Sequence, residues 1–196
     1  MRLLASFPLL LIGFAILAPA QVAEVSLSAR RSLISGKDLG SFGFAELPVR
    51  LENGHGLAVR LDIHSGRFLA HELSYGFDQD KLTLAGEDQG DITVHQFFYD
   101  LMLHLTPREV PVRPFVVAGL GFSGFFPPES DLVQTAGITK FGFNYGGGLK
   151  FKLHRRLGLR IDIRDHISNK PNILSLPDVT GKLHQLELSA GVSLLF

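Results

Sequence analysis

Leu183-His184-Gln185-Leu186-Glu187-Leu188-Ser189-Ala190-Gly191-Val192-Ser193-Leu194-Leu195-Phe196 is the stretch that decides how the rest of the chain is read. Leu186, Leu188, Ala190, Val192, Leu194 and Phe196 fall on one face of an extended strand, and Gln185, Glu187, Ser189, Gly191 and Ser193 on the other. Successive side chains of a strand point to opposite sides, so this is one apolar and one polar surface. An apolar face toward lipid and a polar face toward a lumen suits a closed membrane barrel better than the core of a soluble protein.

At the other end, Arg2 precedes an apolar stretch from Leu3 to Ala18, followed by Pro19-Ala20 and Gln21. That order of charge, apolar stretch and small residues predicts a signal peptide over 1–20, cut between Ala20 and Gln21. The stretch is shorter than the roughly 20 residues a spanning helix needs. Residues 21–196 are then one barrel domain, with no cysteine for a lipid anchor or a disulfide. Nineteen basic and nineteen acidic residues cancel, and no five like charges run together, so nothing points to nucleic acid.

Eight segments alternate or nearly so, at about 22–30, 56–64, 67–77, 91–105, 111–123, 140–153, 156–166 and 183–196. Their lengths bracket the roughly 9 to 11 residues that cross an outer membrane as a tilted strand. The connections between them are alternately long (31–55, 78–90, 124–139, 167–182) and short (Ser65-Gly66, Thr106 to Val110, His154-Arg155). Tight periplasmic turns and long external loops produce that asymmetry, so the expected fold is all-β, an eight-stranded antiparallel up-and-down transmembrane barrel. Phe42, Phe44, Leu47, Val49 and Leu51 could form a further strand, but Pro48 disfavours a central one and nine strands would break the even count. They are expected as a hairpin extension standing above the membrane.

The alternation places Glu24, Arg30, Arg60, Asp62, Glu72, Asp100, Lys150, Lys152, Arg160, Asp162, Arg164 and Glu187 on the lumen side, six basic and six acidic. Outward at mid-membrane an arginine or lysine would cost roughly 2–4 kcal/mol. Inward, neighbouring strands can pair them, and an eight-stranded lumen is about wide enough for side chains alone to fill. The balanced set predicts a plug; a narrow gated pore or small-ligand carrier is the alternative. Glycines 119, 121, 142, 146, 147 and 148 relieve crowding in so tightly curved a wall. Phe68, Tyr75, Phe77, Phe97, Tyr99, Phe122, Phe141, Phe143, Tyr145, Phe151 and Phe196 fall mostly near strand ends on the outward face, as interfacial girdles do, and of the aromatics only Phe98 and Phe115 fall inward.

Chemical motifs are few. Gly119-Leu120-Gly121-Phe122-Ser123-Gly124 has dinucleotide-site spacing, but Phe125-Phe126-Pro127-Pro128 follows where a helix N-terminus would have to hold the pyrophosphate. His71-Glu72 lacks the second histidine of a zinc-protease helix. No cofactor or metal is expected, and His71, His95 and His184 are placed outward near the rims. His166-Ile167-Ser168-Asn169 is sharper: a histidine and serine two apart on one strand share a face and could act as base and nucleophile. It resembles the His-x-Ser-Asn of the outer-membrane lipid A deacylases, with two departures. His166 shares the inward parity of Asp162 and Arg164, and the following loop offers Asp178 in place of a glutamate.

Arg113-Pro114-Phe115-Val116-Val117-Ala118-Gly119-Leu120-Gly121, Asn144-Tyr145-Gly146-Gly147-Gly148-Leu149-Lys150 and Leu159-Arg160-Ile161-Asp162-Ile163-Arg164-Asp165 resemble the OmpA-like outer membrane β-barrel domain family. Ser189, Gly191, Leu194 and Phe196, spaced as polar-x-Gly-x-x-apolar-x-aromatic, resemble the signal read by the barrel-assembly machinery. The resemblance implies a cell outer membrane location, lipid and that machinery as partners, and roles from structural support to adhesion. No active site carries over from it. With the chain ending at Phe196, a wall-tethering domain is not expected. The expected function is structural or surface-recognition work by a monomer through loops 31–55, 124–139 and 167–182, with no catalysis; acyl hydrolysis by His166 and Ser168 is the alternative.

Overall fold

The computed structural model describes residues 23–42, 47–128, 137–172 and 179–196. Among them are ten strands: β1 Ala23–Ser35, β2 Asp38–Phe42, β3 Leu47–Leu51, β4 Gly54–His64, β5 Leu69–Leu84, β6 Glu87–His104, β7 Val112–Phe126, β8 Ile138–Lys152, β9 Leu157–Asn169 and β10 Lys182–Leu195. Eight of them close a barrel in the order β1-β4-β5-β6-β7-β8-β9-β10, every pairing antiparallel, with β10 returning to β1 in register Glu24↔Leu195 to Ser35↔His184. Closure leaves the wall no unpaired strand edge, which a lipid environment requires.

The two extra strands are the hairpin expected over the first long connection. β2 pairs with β3, and β3 lies along the upper end of β5 through Val49↔Leu84 and Leu51↔Leu82. The second long connection is not a loop. β5 and β6 run on past the expected ends at Phe77 and Asp91 and meet at Ala85-Gly86, whose φ angles of 53° and 88° are those of a two-residue hairpin turn. One end of the barrel therefore carries tall hairpins, and the other carries the short turns 65–68, 105–111 and 153–156.

Leu27, Leu57, Val59, Leu101, Val116, Leu120, Ile161, Ile163, Val192 and Leu194 are exposed on the outer face. Phe68 and Phe196 flank this band toward the short turns, and Phe122, Phe126 and Phe141 flank it toward the hairpins. Inside, glycines admit large side chains. A Cβ on Gly148 would stand 2.7 Å from the Phe115 ring, and one on Gly76 would collide with the Arg30 guanidinium.

Above the band the same strands reverse their chemistry without changing parity. On β5, Leu73, Tyr75 and Phe77 point outward below, and Gln79 and Lys81 above, while the inward series passes from Glu72 and Asp78 to Leu82. Ile34, Leu39, Val49, Leu51, Leu82, Ile92, Val94, Phe125 and Leu183 pack there as one buried apolar cluster. The barrel is thus a membrane protein at one level and built like a water-soluble one at the next.

Candidate functional site

The lumen in the membrane band is the chemically richest region, and strand parity puts its side chains there. Arg160 on β9 lies between three carboxylates, bonding Asp62 (3.0 Å), Glu72 and Asp162 (2.8 Å). Two inward positions higher, Arg164 bonds Glu72 (2.7 Å), Asp100 (3.1 Å) and Asp162 (2.8 Å). Lys150 bridges Glu24 (2.9 Å) and Asp62. Arg60 bonds Glu187, which also receives Arg30 at 3.3 Å, and Arg30 continues to Asp78 at 2.9 Å and Gln96 at 2.6 Å. Gln96 then donates to Gln185, and Gln185 to Asp80. One polar chain therefore runs from Glu24 to Asp80, and the apolar cluster lies beyond it.

Arg60, Asp62, Glu72, Asp100, Lys150, Arg160, Asp162, Arg164 and Glu187 are all buried in this chain of contacts. Lys152 is a correction: it shares their parity but is exposed, because β8 ends there and its side chain emerges at the short-turn mouth. Asp78, Asp80 and Arg113 are buried charges that the alternation assigned to a loop or left out. The six-to-six balance is corrected accordingly, with eight acidic and six basic residues among the described buried charges. Their signal was the parity of Asp78 and Asp80 with Glu72, visible once the strand is allowed to run past Phe77.

Close packing leaves little open space here. A void of about 10 Å³ among Arg30, Arg60, Gln96, Phe98 and Arg164 holds roughly one water. Phe98 meets the His166 ring edge-on at 4.9 Å, and Phe115 lies under the Arg160 guanidinium at 5.1 Å. Below Phe115, His64 and His104 face one another at 5.1 Å.

His166 and Ser168 are both buried on the lumen side, away from the lipid-facing band. His166 Nε2 lies 3.1 Å from Glu187, and the Ser168 hydroxyl donates to the Asn169 carbonyl at 3.3 Å, so the two side chains are not joined as base and nucleophile. Asp178 lies outside the described residues, as do Ala20 and Gln21 at the expected cleavage point. Ser189 and Gly191 face inward on β10, and Leu194 and Phe196 outward.

Outward, His71 bonds the Tyr99 hydroxyl (2.6 Å), Tyr75 bonds His95 (2.7 Å), and His184 bonds Asp165 (2.8 Å). These pairs satisfy polar tips at the rims of the apolar band. No group of three or more metal-ligating side chains occurs among the described residues.

A family model described as outer membrane protein beta-barrel domain matches residues 7–196. Among solved structures, the outer membrane protein OprG from Pseudomonas aeruginosa is similar at 12% identity and a TM-score of 0.69, over 90% of this chain and 96% of that one. Neisserial surface protein A is similar at 13% identity and 0.61, over 89% and 97%. Ail, the attachment invasion locus protein of Yersinia pestis, solved with the heparin analogue sucrose octasulfate, is similar at 13% and 0.52, over 90% and 99%. No curated protein matches the chain.

Proposed function

Because the chain belongs to the outer membrane protein beta-barrel domain family, we propose that it is a sealed barrel of the outer membrane whose work is structural support and recognition at its hairpin end, with no catalytic step. Its short turns face the periplasm and its hairpins the cell exterior, following the loop asymmetry of bacterial barrels. Residues 1–20 serve as the export signal, cut between Ala20 and Gln21, and the Ser189 to Phe196 strand is handed to the barrel-assembly machinery.

The observation that carries this reading is the filled lumen. Ion pairs occupy the membrane band, and the apolar cluster of Leu82, Ile92, Phe125 and their neighbours occupies the barrel above it. Moving Arg160 or Arg164 aside would strip carboxylates of their partners in a low-dielectric interior, a loss of several kcal/mol. The same cluster props the outer hairpins on a packed base. That suits a surface held still for a partner, since ordering loops on binding costs affinity.

Two measurements test it. The protein in a planar bilayer should give no conductance steps, and regular steps at modest voltage would overturn the sealed barrel. Cells displaying the wild-type barrel should bind an array of sulfated glycans and matrix proteins, and replacing 129–136 and 173–178 by glycine-serine linkers should abolish that binding. Retained binding, or none at all by wild type, would overturn recognition through the loops. Export is checked by intact mass, which should begin at Gln21.

A further inference from the structure

The periplasmic mouth of the barrel is built differently from the rest of the lumen. Arg108 from the turn after β6, Arg113 from β7, Lys150 and Lys152 from β8, and Arg155 and Arg156 from the turn after it line one cavity of about 360 Å³. Glu24 is the one acidic side chain among its described lining residues, and it is engaged by Lys150 at 2.9 Å. Higher in the lumen every arginine side chain reaches an acid; here the positive charge is in excess.

Arg113 makes the excess specific. Its side chain is buried, at 8% exposure, yet Nε and Nη2 have no hydrogen-bond partner, and the same is true of the buried Nε of Arg108. A buried guanidinium left with free donors is costly unless an acceptor arrives. The planar fork of arginine matches phosphate and carboxylate oxygens two at a time. The cavity is of the size that takes small organic ligands, and is larger than a bare inorganic ion needs. Phe151 and Phe196, at the periplasmic edge of the lipid-facing band, also line it, so the opening stands at the level of lipid headgroups.

We infer that this mouth is a binding site for an organic phosphate of glycerol-phosphate size, held by Arg113 within the barrel and by Arg108, Arg155 and Arg156 at its rim. Such a group comes either as a soluble phosphoester or as the headgroup of an anionic phospholipid in the inner leaflet, and the chemistry of recognition is shared. The site lies at the opposite end of the molecule from the loops assigned to surface recognition and does not depend on that role.

The test uses the full barrel in phosphatidylcholine nanodiscs, titrated calorimetrically with glycerol 3-phosphate, inorganic phosphate and polyglutamate. A parallel arm measures by native mass spectrometry which lipid is retained from equal phosphatidylglycerol and phosphatidylcholine. Glycerol 3-phosphate should bind more tightly than inorganic phosphate and weaken with salt, or phosphatidylglycerol should be retained selectively. The first result assigns a soluble ligand and the second a lipid. Arg113→Gln should weaken that binding at least tenfold. The double variant Arg155→Gln/Arg156→Gln lies in an exposed turn, cannot disturb the packed lumen, and should weaken it several-fold; Arg31→Gln, exposed on β1 toward the outer end, should leave it unchanged. Binding of polyglutamate alone, no binding in either arm, or equal loss in the Arg31 variant would each overturn the site.

Discussion

The membrane-level lumen and the chamber above it are made by the same strands and solve opposite problems. Around Arg160 and Arg164 the outside of the wall is apolar and the inside is charged; around Leu82, Ile92 and Phe125 the outside is polar and the inside is a packed apolar core. β5 passes from one regime to the other between Phe77 and Leu82, where its pairing with β4 ends at His55↔Gln79, β3 takes over at Leu82, and the register with β6 shifts between Lys81 and Thr83, while the burial alternation continues. Strand geometry therefore sets only which side chains share a face. The solvent at each level decides which face must be apolar.

The comparison can be broken most severely at Arg160. Arg160→Met leaves Asp62, Glu72 and Asp162 without their shared cation, and should cost about 3–5 kcal/mol. The check is urea unfolding in phosphocholine vesicles, read by the heat-modifiable shift on a gel. Leu82→Ala acts on the upper regime through a cavity in an apolar core, and about 2–5 kcal/mol is expected by the same assay. A loss confined to proteolytic opening of the hairpins, with the membrane band still resistant, would show that the two levels unfold separately.

A pair of variants on one face of one strand sharpens the contrast further. Leu73→Lys places a charge toward lipid and should cost about 2–4 kcal/mol. Gln79→Lys, three outward positions higher on β5, should change stability by less than about 0.5 kcal/mol. Equal costs would mean that the polar outer surface begins elsewhere. The smallest effect is expected at the hairpin tip. Ala85 holds a φ of 53°, which L residues adopt at a cost, so Ala85→Gly should stabilise the barrel by about 1 kcal/mol or less.

Much of this was legible in the residues. Eight alternating segments, their long and short connections and the inward parity of Arg160, Asp162 and Arg164 all follow from a two-residue period that needs no knowledge of neighbours. The strands run further at the outer end than the residues announce, because the usual sign of a membrane strand is an apolar outward face, and beyond Phe77 that face is Gln79 and Lys81. With the chemistry inverted, 78–90 looks like a polar loop, although Asp80 and Leu82 keep the inward parity. Lys152 departs from the buried set for a related reason: parity gives direction but not depth, and at the end of β8 the inward direction opens into water.

Pairing was not legible at all. Arg60 meets Glu187, 127 positions away, and Arg164 meets Glu72, 92 positions away, because barrel closure and the stagger between strands bring those levels together. Which side chains look inward and which look toward lipid is a property of each strand alone, and the order of residues carries it. Which charges neutralise one another, where the lumen turns from polar to apolar, and that Arg113 reaches the mouth with Nε and Nη2 free come from the closed barrel. Those depend on register and depth across eight strands, and no single strand encodes either.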